Sequence, residues 1–324
     1  MRRGPDPPIV VVGAGLAGLT AARALVAAGE RVQVVDKGRS VGGRLATRRI
    51  GGATFDHGAQ FFTVRTDAFA AEVDRAVGND VAYEWCRGFT DPADGHPRYA
   101  VRGGMNRLAK HLAAGLEVMT ATRISAVSAG EYWAVEHDGG LLQASAVVLT
   151  APMPQNLEML DAGTVELDTD LRSRLDQVAY HPTLAALVVL DRSPGLPEPA
   201  ALQLDEGPFT FVADNHAKGV SEVPALTLHL DHQLSVDRWD DDPDEVLARM
   251  IDEAAPFLGG ASVVEAQLKT WRYAKPVQPV AHSFEHTTVG GLPLVIAGDA
   301  FAGSAVEGAY TSGLAAAGHL TETT

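Results

Sequence analysis

Two hydrophobic patterns run along the chain. Ile9-Val10-Val11-Val12, Ala146-Val147-Val148-Leu149 and Pro293-Leu294-Val295-Ile296 are unbroken apolar runs without polar alternation. Such runs predict strands covered on both faces, as in a parallel sheet. Between them lie helical stripes. Leu16, Leu19, Ala22 and Val26 share one face of a helix expected over 16–28, with Gly29 as its C-terminal stop. Asp242 and Pro243 open a helix to about 257, striped by Val246, Leu247, Met250, Ile251 and Ala254. A small-residue helix is expected over 310–319. Strands are expected over 31–35, 184–190, 209–213 and 225–231, the last alternating Leu226, Leu228 and Leu230 against Thr227, His229 and Asp231. Residues 132–137 and 141–143 flank Asp138-Gly139-Gly140 and read as a hairpin.

The first apolar run leads into Gly13-Ala14-Gly15-Leu16-Ala17-Gly18, a G-x-G-x-x-G sequence, and Asp36 ends the next strand. Gly13 permits a tight turn, Gly15 lets a pyrophosphate approach the backbone, and Gly18 lets helix and strand pack closely. The helix N-terminus offers free N–H groups to phosphates. Asp36 is placed to accept from ribose hydroxyls. Strand, glycine turn, helix, strand and acid in this order predict a dinucleotide-binding Rossmann-like fold.

Composition narrows the partners. The 324 residues carry 26 Lys and Arg against 41 Asp and Glu, a net charge of −15. That charge argues against nonspecific nucleic-acid or anionic-membrane binding. One cysteine, Cys86, excludes an intrachain disulfide framework and a cysteine metal centre. No apolar run reaches the length of a membrane helix. Residues 1–8 read as a frayed tail with no hydrophobic signal core, and a cytoplasmic location is expected. His229 with His232 and His282 with His286 are spaced three and four apart, but their surroundings do not read as helical, and no metal site is expected.

Arg39-Ser40-Val41-Gly42-Gly43-Arg44-Leu45-Ala46-Thr47 resembles the second FAD fingerprint of the flavin amine oxidase and glutathione-reductase-like superfamily. Adding Phe55-Asp56-His57-Gly58-Ala59-Gln60-Phe61-Phe62, Trp271-Arg272-Tyr273-Ala274 and Val306-Glu307-Gly308-Ala309, the chain resembles bacterial renalase-like FAD oxidoreductases along nearly its whole length. The resemblance implies an α/β fold like that of monoamine oxidase and p-hydroxybenzoate hydroxylase. Its FAD-binding domain would comprise 1–65, 99–152 and 268–324, and an inserted antiparallel-sheet substrate domain 66–98 and 153–267. It implies noncovalent FAD contacted by Gly13, Gly15, Leu16, Ala17, Gly18, Asp36, Lys37, Gly43, Arg44, His57, Gly58, Ala59, Ile124, Ala151, Gly298, Asp299, Val306, Glu307 and Ala309. In that set Arg44 would bind the pyrophosphate, Asp299 the ribityl or pyrophosphate region, and the last helix would point at the pyrimidine side of the flavin.

The implied reaction takes hydride from 2- or 6-dihydro isomers of NAD(P)H to flavin N5, with O2 as acceptor and H2O2 as product. Losing hydride makes a dihydropyridine aromatic, so no strong base is needed. His57, Gln60, Trp271 and Tyr273 are the expected catalytic residues. Phe61 and Phe62 are further candidates for apolar walls, and Arg65, Arg98 or Arg272 for steering substrate phosphates. Three other readings stay open: an amine oxidase, although Ala305 stands where such enzymes commonly carry an aromatic; a hydroxylase needing external NADPH; and a flavin-binding protein without oxidase activity.

Overall fold

The structure, a computed structural model, describes residues 6–89, 93–303 and 305–323. Residues 1–5 of the expected tail at 1–8, and Ser304, lie outside them. The chain forms two compact units, 1–43 with 109–179 and 276–324, and 44–108 with 180–275.

The first unit is built on a six-stranded sheet ordered Glu285–Val289, Leu292–Ile296, Val147–Leu149, Ile9–Val12, Val32–Val35 and Val118–Met119. All neighbours are parallel except the Glu285–Val289 hairpin strand. Val10, Val11, Val147, Val148, Leu149, Leu294 and Val295 are wholly buried, as unbroken apolar runs require. The helix Leu16–Ala27 follows the first strand and stops at Ala28, with Gly29 at φ 94°. The last helix, Val306–Thr323, is longer at both ends than 310–319. It lies close against the first helix, because a Cβ on Gly313 would stand 2.1 Å from the Ala17 carbonyl oxygen. Ile124 opens the strand Ile124–Ala129, which joins Trp133–His137 and Gly140–Ala144 in an antiparallel sheet.

The second unit carries a five-stranded sheet ordered Ala201–Gln203, Phe209–Asp214, Ala225–Leu230, Tyr180–Leu190 and Val263–Pro276. The alternation read in 225–231 does not expose one face. Thr227 is fully buried along with Leu226, Leu228 and Leu230. One side packs on the helix Pro243–Glu253 through Val246 and Met250. The other is covered by the hairpin Thr47–Ile50 and Ala53–Asp56, whose Ile50, Ala53 and Phe55 pack on Leu187, Val189 and Ala225. That packing groups residues 44–65 with the antiparallel sheet, whereas the expected division ran 1–65 together. Residues 99–108 likewise fall in the second unit and 153–179 in the first.

Candidate functional site

In the first unit the glycine turn is held by main chain, one hydroxyl and one carboxylate. Thr150 Oγ1 donates to Val12 O at 2.9 Å and to Gly13 O at 3.3 Å. Gly13 takes φ 110°, where a side chain is strained. A Cβ on Gly18 would sit 1.9 Å from Gly13 O, so only glycine closes this turn. Gly15 is different. It is the N-cap of the helix Leu16–Ala27 with ordinary extended dihedrals, and a Cβ there would meet nothing within 4 Å. No side chain caps this helix and its first turn has no acid. The result is an uncapped helix N-terminus facing open space, with main-chain donors and the positive end of the dipole presented together.

Asp36 reaches back to this turn. Its two carboxylate oxygens accept from Ala14 N and Gly38 N, each at 2.6 Å. Gly43, at φ 51°, approaches so closely that its Cβ would lie 3.4 Å from Gly15 Cα. Lys37 donates to Gln155 Oε1 at 3.1 Å, and burial lowers its pKa. Ala151, after the strand Val147–Leu149, accepts from Asn156 Nδ2 at 2.9 Å. Gly298, at φ 142°, donates from its main chain to the buried Ser312 Oγ at 2.8 Å. Asp299 follows, half-buried, and Val306, Glu307 and Ala309 form the first turn of the last helix. Thr150 and Ser312 had no motif to mark them; each acts through one hydroxyl on a distant stretch of chain.

In the second unit the segment 56–60 is fixed by a buried polar hub. Asp56 is fully buried: Oδ1 accepts from Thr47 Oγ1 at 2.8 Å and Met105 N at 2.7 Å, and Oδ2 from Lys218 Nζ at 3.3 Å. Lys218 is itself fully enclosed, donates to Gln60 O and lies 5.0 Å over the Trp85 ring; burial lowers its pKa. Gly58 allows the chain to close on itself, since its Cβ would stand 2.0 Å from Arg44 O, and Ala59 N donates to that same oxygen at 2.9 Å. Gln60 Nε2 donates to Asp56 O at 2.6 Å and Gly58 O at 3.3 Å.

His57 stacks on Trp271, with ring centroids 5.2 Å apart, and Trp271 Nε1 donates to His57 O at 2.8 Å. Burial, reinforced by Lys269, His229 and Arg48, pushes the His57 imidazole down to about 4. His229 hydrogen-bonds the His57 main chain, and burial holds it at about 4 as well. Both rings are neutral at pH 7. Tyr273 packs edge-on against Tyr180, and Arg44, expected on a pyrophosphate, donates to the main-chain oxygens of Tyr273 at 3.1 Å and Ala274 at 3.4 Å. Phe62 is a core residue between Phe69 and Tyr99, not a wall. Phe61 belongs to a cluster with Phe89, Phe211 and Trp85. Arg98 is paired with Asp94, and Arg272 lies over Trp239.

The structure therefore gathers His57, Gly58, Ala59, Gln60, Arg44, Trp271 and Tyr273 in the second unit. The other expected cofactor residues lie in the first. Lys218 and Lys269 escaped the sequence reading, because a lone lysine in a turn or strand carries no spacing signal. Asp56 stood inside a quoted motif, and His229 was weighed only as a metal ligand. His232 stacks on His181 and His282 pairs with Glu285. Among the described residues no three His, Cys, Asp or Glu side chains are grouped to hold a metal, and no helix is long and apolar enough to cross a membrane.

The glycine turn agrees with a match of residues 11–73 to the NAD(P)-binding Rossmann-like domain. Residues 84–321 match the flavin containing amine oxidoreductase model, most of the chain. The chain belongs to that family. It is a family of flavin-containing oxidoreductases, whose cofactor is FAD. The open N-terminus beside Gly15 fits a bound pyrophosphate, since it is a cradle that a side chain would fill. Two similar curated proteins are phytoene dehydrogenase of Streptomyces griseus, 46% identical over 76 residues, and putrescine oxidase of Kocuria rosea, 46% identical over 66. These stretches cover 22% and 20% of this chain, and only 15% and 14% of the two relatives. A solved structure from Exiguobacterium sp. 255-15, provisionally described as a protoporphyrinogen oxidase, superposes with a TM-score of 0.75 at 14% identity, over 99% of this chain and 100% of that one. That likeness speaks for the shared fold.

Proposed function

We propose that this flavin containing amine oxidoreductase is a renalase-like oxidase of dihydropyridines, taking hydride from 2- or 6-dihydro isomers of NAD(P)H and using O2 as acceptor. The observation that carries this reading is electrostatic. The charges acting on His57 at pH 7 come from Lys269 and Arg48, and both oppose a further positive charge. The carboxylate of the segment, Asp56, is buried and neutralised by Lys218. A protonated amine thus meets neutral rings and cations here, whereas a dinucleotide brings phosphates that suit such a field.

FAD, when bound, supplies a two-electron acceptor that O2 can reoxidise. The chain's own residues do the rest. Gly15, Leu16 and Ala17 present main-chain donors to the pyrophosphate, and Asp36 both braces the glycine turn and offers its remaining lone pairs to a ribose. His57 stacked on Trp271 forms a flat, desolvated wall for a planar ring. Arg44 positions Tyr273 through its main chain. Imidazoles held at about 4 are weak bases, which suits a substrate that becomes aromatic by losing hydride and needs no proton removed. Cofactor attachment is noncovalent in this reading. The single thiol, Cys86, is in the second unit, and burial raises its pKa away from the reactive thiolate.

Amine oxidation is the second reading, favoured by the family and by the putrescine oxidase relative. Anaerobic mixing of the yellow protein with borohydride-reduced NAD+, with NADH and with a panel of amines separates them. Bleaching by the isomer mixture alone, reversed by O2 with release of H2O2, is the expected result. Bleaching by amines would overturn the proposal.

A further inference from the structure

Two neighbouring cations of the second unit stand without an acid. The strand Val263–Pro276 turns Gln267, Lys269 and Trp271 to one face, because alternate residues share a side. Ala266 and Leu268 turn the other way and pack on the apolar core. On the first face Arg48 Nε donates to Gln267 Oε1 at 3.1 Å, and Trp271 Nε1 donates to His57 O. Lys269 stands between these two contacts, half-buried, and Arg48 is exposed, so solvent reaches both. They are close enough for Arg48 to join burial in lowering the Lys269 pKa. Among the described residues neither is paired with a carboxylate, and Glu265 of the same face stands beyond Gln267, against Gly51. That is unusual in a chain with 41 acidic side chains to 26 basic ones, where Arg98, Arg172, Arg174 and Arg238 each hold an acid. Two cations held together, one of them partly desolvated, repel each other, and an anion between them offsets that cost.

We propose that Lys269 and Arg48 take the pyrophosphate of the dinucleotide substrate while the His57–Trp271 wall takes its pyridine ring. The inference rests on the dihydropyridine reading and adds the group by which the site tells a nucleotide from a bare ring. The spacing suits it. Lys269 precedes Trp271 by two strand residues, about 7 Å, and the ribose that joins a pyridine ring to its first phosphate covers a similar span. The 2′-phosphate that separates NADP from NAD lies at the adenosine end, much farther from the ring. The site should therefore need the pyrophosphate and ignore the 2′-phosphate.

The test uses the FAD-loaded protein and anaerobic bleaching at low salt. The donors are borohydride-reduced NAD+, NADP+ and nicotinamide riboside, the last without phosphate. The second-order rate of bleaching is expected to be at least about tenfold higher for both dinucleotides than for the riboside, to agree within about twofold between NAD and NADP, and to lose its advantage as salt is raised. Lys269→Gln should lower the ratio severalfold, Lys269→Gln with Arg48→Gln should bring it near one, and Lys269→Arg, which keeps the charge, should retain it. The wild-type ratio and its salt dependence decide even where a variant fails to fold. Equal rates for riboside and dinucleotides in the wild type overturn the pyrophosphate site and leave the dihydropyridine reading standing. A Lys269→Gln protein that no longer holds FAD, while Lys269→Arg does, gives the cations to the cofactor's own pyrophosphate and also overturns the proposal. If no donor bleaches the wild type, the dihydropyridine reading falls. Calorimetric titration with inorganic pyrophosphate then decides the cation pair by itself: binding that the double variant loses upholds an anion site, and absence of binding overturns it.

Discussion

The glycine turn of the first unit and the Asp56 hub of the second hold equally exact geometry by opposite means. The turn is almost all main chain: Gly13, Gly15 and Gly18 matter for the side chains they lack, and only Thr150 and Asp36 contribute functional groups. The hub is almost all side chain, with Asp56, Lys218, Thr47 and Gln60 meeting from positions up to 171 residues from their partners once Thr227 is included. A main-chain device is local and so leaves a spacing in the sequence. A side-chain hub is assembled by the fold and leaves none.

The sharpest way to break the comparison is at Lys218. Lys218→Met should strand Asp56 as a buried, unpaired charge and cost about 3–5 kcal/mol, measured by denaturant unfolding. A loss below about 1 kcal/mol would mean that Asp56 takes up a proton without harm, and the hub would be ornamental. In the turn, Gly18→Ala and Gly15→Ala should differ although both add one methyl. Gly18→Ala forces atoms apart against backbone and should cost the apoprotein roughly 2–4 kcal/mol. Gly15→Ala should leave apoprotein melting nearly unchanged and weaken FAD binding, because its Cβ enters open space and its dihedrals suit any residue. Equal melting losses would erase the distinction between a packing glycine and a clearance glycine.

The two histidines of the second unit set a pH response. His57 and His229 are held at about 4, against 6.5 for the unfolded ring. Between those values the unfolded chain binds more protons than the folded one, so stability rises with pH across the window and drains away as pH falls from 6.5 toward 4. The slope of unfolding free energy should approach two protons at mid-window and fall by about one in His229→Leu. The smallest effect is expected at Asp242, which accepts from Asp244 N and Glu245 N at the start of Pro243–Glu253. Asp242→Ala should cost about 1 kcal/mol, read as a small drop in melting temperature with FAD binding intact.

The sequence made the first unit largely readable, because buried parallel strands need unbroken apolar runs and phosphate turns need glycines at set intervals. The helix cap at Asp242 and the hairpin at Asp138-Gly139-Gly140 were readable for the same local reason. The 225–231 strand was readable from its alternation, but the cover over its polar face was not, since the hairpin that supplies it lies about 170 residues upstream. The unit boundary moved for that reason too. In the candidate site the F-D-H-G-A-Q segment was visible as a motif, but its anchors Lys218 and Thr227 and the partner ring of His229 were not, being contributed by another part of the chain.

The strand order of the first sheet also has a temporal meaning. Its central pair, Ile9–Val12 and Val147–Leu149, is flanked by Leu292–Ile296, and the first helix is covered by Val306–Thr323. As the chain emerges from a ribosome, the glycine turn comes out well before Leu292–Ile296 and Val306–Thr323, so until those follow, its sheet has an open edge and its helix a bare side. The second unit's segments all precede residue 276. The antiparallel unit can therefore settle first, while the nucleotide unit waits for Leu292–Ile296 and Val306–Thr323 with an apolar edge uncovered in the interval.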